Sequence, residues 1–414
     1  MQTQITPDIL ATPQGREADE ILRTCVHCGF CTATCPTYQL LGDELDGPRG
    51  RIYQIKQVLE GHAPTRLTQL HLDRCLTCRA CETTCPSGVR YARLADIGRG
   101  MVERQVQRPL RERLMRQTLV NLVPYPSRLG PLLALGRMVR PLMPAALKAK
   151  VPAAQHIGTK PASIGGRRML ALAGCAQSVM TPRTNAAATR ILARLGVDLV
   201  EVADAGCCGA LAHHLTAEHD ALQAMRRNID AWWPEIESGA EAILVTASGC
   251  GATVKEYGLL LQNDALYAEK AARISALTRD PAEVLGALDL SALGLPGQGR
   301  RIAFHAPCTL QHGQQLKEVV EPILERAGFQ LTGVPDAHLC CGSAGTYSIT
   351  QPELSMALRT NKVAALESGA PTLIATANIG CQLHLAEGAA IPVVHWLELL
   401  DPEGYPESLA AGAL

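Results

Sequence analysis

Cys25, Cys28, Cys31 and Cys35 are followed by Pro36, and Cys75, Cys78, Cys81 and Cys85 are followed by Pro86. The spacing in both runs is C-x2-C-x2-C-x3-C-P, and threonine precedes the last cysteine in each. Three thiols in so short a loop wrap one face of a cubic iron–sulfur cluster. The fourth, set just before a proline, points away and serves the neighbouring cube. On that logic a first [4Fe–4S] cluster takes Cys25, Cys28, Cys31 and Cys85, and a second takes Cys75, Cys78, Cys81 and Cys35. Pro36 and Pro86 turn the chain away from the ligand and bring no N–H that needs a partner. Zinc also accepts four thiolates, but its sites draw two cysteines from each of two separate knuckles.

The chain holds sixteen cysteines, and the other eight form a second, looser repeat. Cys175, Cys207 and Cys208 recur as Cys308, Cys340 and Cys341, and Cys250 recurs as Cys381. Cys207-Cys208-Gly209 matches Cys340-Cys341-Gly342, and Ser238-Gly239-Ala240 matches Ser368-Gly369-Ala370. An order of features held in common marks a duplicated unit. Adjacent cysteines before a glycine bring two thiols close together. With the outlying cysteines they offer four per repeat, enough for a further cluster or a metal. The alternative is that several are buried small residues without a ligand.

The elements that must position these residues differ between the two halves. Met169 to Ala173, Ala242 to Thr246, Ile302 to His305 and Thr372 to Thr376 are short apolar runs, each ending near a cysteine. They read as buried strands separated by helical stretches, hence an α/β unit with a parallel sheet. Cys175, Cys250, Cys308 and Cys381 then fall at carboxyl ends of strands, where such sheets collect functional groups. The expected fold is multidomain: an α-helical ferredoxin-like module at 1–105, a basic, Pro-interrupted helical linker at 106–165, and α/β Cys-Cys-Gly repeats at 166–295 and 296–414.

Several function classes are excluded. Net charge is zero, which does not suit a nucleic-acid binder. No signal peptide and no apolar run of about 18 residues is read, so the expected location is cytoplasmic. The segment from Arg99 to Lys150 holds nine arginines and two lysines against Glu103 and Glu112. It reads as a docking surface for a membrane or an acidic partner, or else as a solvated linker. Removing a hydride from an organic substrate needs a flavin or nicotinamide, but no G-x-G-x-x-G closes a strand and opens a helix: Gly294, Gly297 and Gly299 precede a strand. Neither flavin nor NAD is expected on this chain, and no catalytic acid–base site stands out. His27, His305, His338 and His384 lie near thiols in sequence. Trp232-Trp233 reads as core or interface. Arg49 and Arg51, within Asp43 to Arg51, either hold the nearby acids and tune a cluster or sit in a solvated turn.

The Cys-rich run Cys25 to Pro36, the segment Leu41 to Arg51 and Cys340-Cys341-Gly342-Ser343-Ala344-Gly345 resemble a family. It includes heterodisulfide reductase subunits and the iron–sulfur subunits of 2-hydroxy-acid and glycerol-phosphate dehydrogenases, and the glycolate oxidase (glycolate dehydrogenase) type is the one most resembled. The resemblance covers nearly the whole chain. It implies electron transfer from FAD-containing glycolate oxidase subunits, which oxidise glycolate to glyoxylate, toward a quinone at the cytoplasmic face of the inner membrane. Iron–sulfur subunits of lactate or glycerol-3-phosphate dehydrogenases, or a thiol/disulfide-active enzyme like heterodisulfide reductase, are the alternatives. The wider family often closes each repeat with C-x-x-C. Here Ala247 and Asn378 stand at those positions, which argues against a five-cysteine cluster.

Overall fold

The computed structural model describes residues 1–144, 148 and 151–403. Residues 145–147 and 149–150 of the expected linker, Lys150 included, and 404–414 of the second repeat lie outside the described residues. The chain divides into two compact units. Unit one comprises Met1–Gln117, His214–Thr216 and His338–Lys362; unit two comprises Thr118–His213, Ala217–Ala337 and Val363–Leu414.

Unit one is built on helices. The Pro48–Leu59 helix starts with proline in its first turn, where a missing N–H costs nothing. It buries Ile52, Ile55, Val58 and Leu59, a spacing that makes one apolar face. The Tyr91–Gln105 helix answers with Leu94, Ala95, Ile97 and Val102. A Cβ at Gly98 would lie 2.6 Å from Cγ1 of Ile55, so glycine lets these helices close up. The Pro13–Thr24 helix adds Ala18, Ile21 and Leu22, and the Thr12 hydroxyl caps it by accepting from Gly15 N at 2.9 Å. Cys25, Cys75 and Cys81 are buried members of this core, and Cys31 and Cys85 pack against it. The cysteine loops are therefore short connections pinned by helices.

Unit two contains two four-stranded sheets with the same topology. The first has β1 (Arg167–Ala171), β2 (Val197–Glu201), β3 (Ile243–Leu244) and β4 (Thr278–Arg279), in the order β2-β1-β3-β4. The second has β5 (Arg301–His305), β6 (Gln330–Leu331), β7 (Leu373–Thr376) and β8 (Val393–His395), in the order β6-β5-β7-β8. Every neighbouring pair is parallel, with Met169 opposite Leu199 and Phe304 opposite Ala375. The expected strands correspond to β1, β3, β5 and β7, and the structure adds the other four. The chain leaves β1 for one side of the sheet and later returns to β3 on the other. That places a topological switch point between β1 and β3, with its counterpart between β5 and β7.

The two repeats share one hydrophobic core, in which Ile191, Leu199 and Leu244 join Ile302, Phe304, Leu324 and Trp396. Buried polar contacts tie them as well. Arg190 makes bonds of 2.8 and 2.6 Å to the Asp401 carboxylate, and the Thr184 hydroxyl donates to Glu398 at 2.8 Å.

Much of the basic segment's charge is used internally. Arg108 is buried against Asp73 at 2.6 Å and Glu103 at 2.7 Å, and Arg116 also reaches Asp73. Arg137 and Arg140 donate to the carbonyls of Pro152 and Val151. Arg104, Arg111, Arg113 and Arg128 remain exposed. So does an apolar stripe on and just after the Pro126–Val139 helix: Leu132, Leu135, Met138 and Leu142 are 51, 56, 77 and 88% exposed. Trp232 is fully buried, and Trp233 donates from Nε1 to Glu237 at 2.8 Å.

Candidate functional site

The two ferredoxin-like motifs of unit one close around two adjoining recesses. The first, about 430 Å³ out to its open mouth, is lined by Cys25, Cys28, Cys31 and Cys85. The second, about 310 Å³, is lined by Cys35, Cys75 and Cys78. Cys81, Pro48 and Tyr91 line both. Each motif thus sends its last cysteine to the recess of the other.

Both loops hold the same unusual backbone. His27 and Gly29 have φ of 61° and 87°, and their counterparts Thr77 and Arg79 have 52° and 62°. Left-handed residues between successive cysteines curl each loop around its recess. Three of these four are not glycine, and such strain persists where the surroundings fix it, typically at ligand-binding loops.

The electrostatics of the recesses differ. In the first, burial raises the Cys25 thiol, and burial together with the neighbouring Cys25 pushes Cys31 up to about 11. In the second, burial and then Cys78 and Cys75 raise Cys81. Burial also acts to raise Cys75, but the charges of Arg51 and Arg99 and a hydrogen bond from Tyr91 outweigh it and hold that thiol below its ordinary range. Sulfurs so crowded cannot all ionise without cations among them. With Cys81 counted to the second recess, each offers four thiols, which fits the ligand demand of a [4Fe–4S] cluster.

Sequence reasoning singled out Arg51 but left its setting open, and it missed Thr37, Tyr91 and Arg99. Arg51 is 1% exposed, so it does not sit in a solvated turn. The Thr37 hydroxyl lies 3.3 Å from Cys35 Sγ, and the Tyr91 hydroxyl donates to Cys75 Sγ at 3.5 Å. Arg99 donates to the carbonyls of Cys75 at 2.6 Å and Leu72 at 2.9 Å, and to Thr77 Oγ1 at 2.9 Å. Thr37 had a signal, because it directly follows Cys35-Pro36. Arg49, by contrast, pairs with Glu44 at 2.6 Å near the surface.

In unit two the first Cys-Cys-Gly set converges. Cys175 follows β1, Cys207 and Cys208 follow β2, and Cys250 lies in the Ser248–Lys255 helix after β3. The thiols lie close enough to perturb one another in the order Cys175, Cys207, Cys208, Cys250. Cys207 and Cys208 are each 2% exposed. The Cys207 thiol and then burial raise Cys175 well above its usual range. For Cys207 the Cys175 thiol acts downward, but the Cys208 thiol and burial push it up to about 12. Asn228 and Tyr257 brace the pair by donating to the carbonyls of Cys207 at 2.9 Å and Cys208 at 2.8 Å. Gly209 has φ +88°, and a Cβ there would meet Ala221 O at 2.9 Å.

The second set falls in both units. Cys340 and Cys341 belong to unit one and are 4 and 1% exposed. There Gly342 has φ +89°, and the Ser355 hydroxyl holds its carbonyl at 2.7 Å. Cys308 and Cys381 belong to unit two, after β5 and β7. Asn378, at the position of the missing family cysteine, donates from Nδ2 to Cys381 Sγ at 3.6 Å. Among the four histidines, His305 is buried with Nδ1 3.0 Å from Thr376 Oγ1, His384 is buried, and His27 lies against the ring of Tyr53.

A 4Fe-4S dicluster domain matches residues 21–89, and a Cysteine-rich domain matches 169–255 and 302–386. The glycolate oxidase iron-sulfur subunit of Escherichia coli (strain K12) is 58% identical over 403 residues, covering 97% of this chain and 98% of that protein. The probable glycolate oxidase iron-sulfur subunit of Bacillus subtilis (strain 168) is 31% identical, covering 92 and 93%. Lactate utilization protein A of Geobacillus thermodenitrificans (strain NG80-2) is 29% identical but covers only 52% of this chain. Identity at this level along almost the entire length places the chain in one family, that of the glycolate oxidase iron–sulfur subunits.

Proposed function

We propose that this chain is the electron-transfer subunit of a flavin-dependent glycolate dehydrogenase and carries two [4Fe–4S] clusters. The observation that carries the reading is the pair of adjoining thiol-lined recesses, each completed by the last cysteine of the other motif. Cys25, Cys28, Cys31 and Cys85 hold the first cluster, and Cys75, Cys78, Cys81 and Cys35 the second. The clusters supply one-electron relay chemistry. The protein supplies fixed thiolates, low solvent access and hydrogen bonds to sulfur. Removing a hydride from glycolate belongs to an FAD-containing partner subunit. The electrons leave toward a quinone.

The Cys175–Cys207–Cys208–Cys250 set is proposed as a further cluster or metal site. Buried thiols with raised pKa are poor nucleophiles, which speaks against a thiol/disulfide enzyme. Among the described residues no helix is long and apolar enough to cross a membrane. A peripheral position on the cytoplasmic face is supported by the exposed stripe from Leu132 to Leu142, flanked by exposed Arg128.

The test is anaerobic purification with iron and sulfide counts and low-temperature EPR after reduction. About eight irons with two cubane signals supports the two clusters. Stoichiometric zinc without iron overturns them. Extra iron lost in Cys207→Ser locates a further cluster in the first repeat. Co-purified partners assayed with an artificial acceptor decide the substrate, and a preference for lactate over glycolate refutes the one named.

A further inference from the structure

We infer that Arg51 holds the reduction potential of the second cluster above that of the first, so that an electron arriving at the first site comes to rest at the second. The inference rests on the two-cluster reading above.

Arg51 lines the recess of Cys35, Cys75, Cys78 and Cys81 and does not line the other. Its guanidinium is fixed from several sides. Nε donates to the His71 carbonyl at 2.7 Å, and Nη1 and Nη2 reach Thr37 Oγ1 at 3.3 and 3.2 Å. That hydroxyl is itself 3.3 Å from Cys35 Sγ. The counter-ion is shared unequally. Asp46, fully buried, receives Arg74 at 2.7 Å, Arg51 only at 3.4 Å, and His71 Nδ1 at 3.0 Å. Two guanidinium groups meet one carboxylate, so a positive charge is left over beside the sulfurs, where little water screens it.

The first recess lacks this arrangement. Its arginine, Arg49, is 35% exposed and matched by Glu44 at 2.6 Å. The Met1 amino group donates to the Cys25 carbonyl at 2.6 Å, but it is only part-buried and open to screening. A reduced cluster carries one more negative charge than an oxidised one. A buried cation beside it favours the reduced form and raises the potential. The step moves one electron from the first site, which is oxidised, to the second, which is reduced. No bond forms or breaks, and no proton is needed. The reductant is the partner's reduced flavin, which yields its two electrons singly.

The experiment is an EPR-monitored redox titration of the full chain, comparing wild type with Arg51→Gln and Arg51→Lys. The two signals are assigned by their changes in Cys28→Ser and Cys78→Ser. In Arg51→Gln the second cluster's reduction equilibrium is expected to fall about tenfold, a shift of about 59 mV for a one-electron couple. The first cluster stays within a third of that shift, and Arg51→Lys recovers most of the loss. If Arg51→Gln does not retain iron, Arg74→Gln carries the test. It leaves Asp46 to Arg51 alone and cancels the excess charge from outside the recess, so the same downward shift is expected. Wild type with fewer than two clusters overturns the underlying reading. Two intact clusters whose potentials do not move in the variants overturn the role of Arg51.

Discussion

The hydroxyl of Tyr91 donates to the sulfur of Cys75 across 3.5 Å, from a ring only 4% exposed that lines both recesses. Tyr91→Phe keeps the ring and removes the bond. The potential of the cluster proposed for the second recess is expected to fall, by less than in Arg51→Gln, with a stability loss of about 1 kcal/mol. Redox titration and thermal unfolding of the variant measure both, and an unchanged potential would show that this hydroxyl does not tune the site.

Asp46 is the only carboxylate that Arg51 and Arg74 are seen to pair with in the described structure, and it has no exposed surface. Asp46→Asn leaves buried positive charge uncompensated. A loss of about 3–5 kcal/mol follows, since removing one partner of a buried ion pair costs far more than the pair contributes. Denaturant unfolding of the metal-loaded chain checks it. A loss below 1 kcal/mol would mean that solvent reaches the arginines.

Gly209 and Gly342 both need a left-handed backbone, and both face a carbonyl where a side chain would begin. Their Cβ positions lie 2.9 Å from Ala221 O and 2.6 Å from Ser355 O. Gly209→Ala and Gly342→Ala should each cost about 1–3 kcal/mol. If the first Cys-Cys-Gly set binds metal, Gly209→Ala also lowers metal content, because the adjacent thiols move. Unaltered melting temperature in both variants, with unaltered metal content in Gly209→Ala, would sink this account.

The cysteine framework was readable in the sequence because metal ligation imposes local spacing. Cys25 to Pro36 and Cys75 to Pro86 each declare a site without reference to the rest of the chain. The duplication likewise exposed Cys175, Cys207, Cys208 and Cys250 as a set. What shapes the sites was not readable. Tyr91 and Arg99 reach Cys75 from a helix whose pattern speaks only of packing. Thr77 and Arg79 adopt left-handed conformations that their side chains do not advertise. The basic segment shows its charge plainly, but Arg108 finds Asp73 35 positions away in the chain, and spacing cannot reveal that. β4 and β6, at two residues each, are too short to carry a period.

Glu398 makes a pH-dependent contribution. Burial pushes its carboxyl up to about 7, against the opposing effects of the Thr184 hydroxyl and Arg183. A raised carboxyl pKa favours the protonated form in the folded state. Its stabilisation is complete below the unfolded value near 4.5 and is lost as pH rises through 7. Glu398→Gln can still accept from Thr184 and does not ionise. Its stability should stay flatter between about pH 5 and 8, with a gain at pH 8 of up to about 3 kcal/mol. Chemical denaturation across that range compares the two, and parallel profiles would refute the assignment.

Leu135 and Met138 belong to the exposed stripe beside the basic residues. Leu135→Glu/Met138→Glu should reduce sedimentation with vesicles rich in anionic phospholipid several-fold and leave cluster content intact. Added salt should weaken wild-type binding only in part, since the apolar share is not screened. Equal sedimentation of both proteins would remove the membrane from the reading of this helix.

The exchange of last cysteines between the two recesses bears on how the protein is made. Cys85 lines the first recess and Cys35 the second, so the second four-thiol set is complete only once translation has passed residue 81, and the first only at residue 85. A nascent chain that has just released Cys35 offers a three-thiol loop and one stranded thiol. It cannot close a cube on its own. At about 5–20 residues per second the wait lasts several seconds. If the recesses take the proposed clusters, loading waits on chain length, and both sites become complete within four residues of one another.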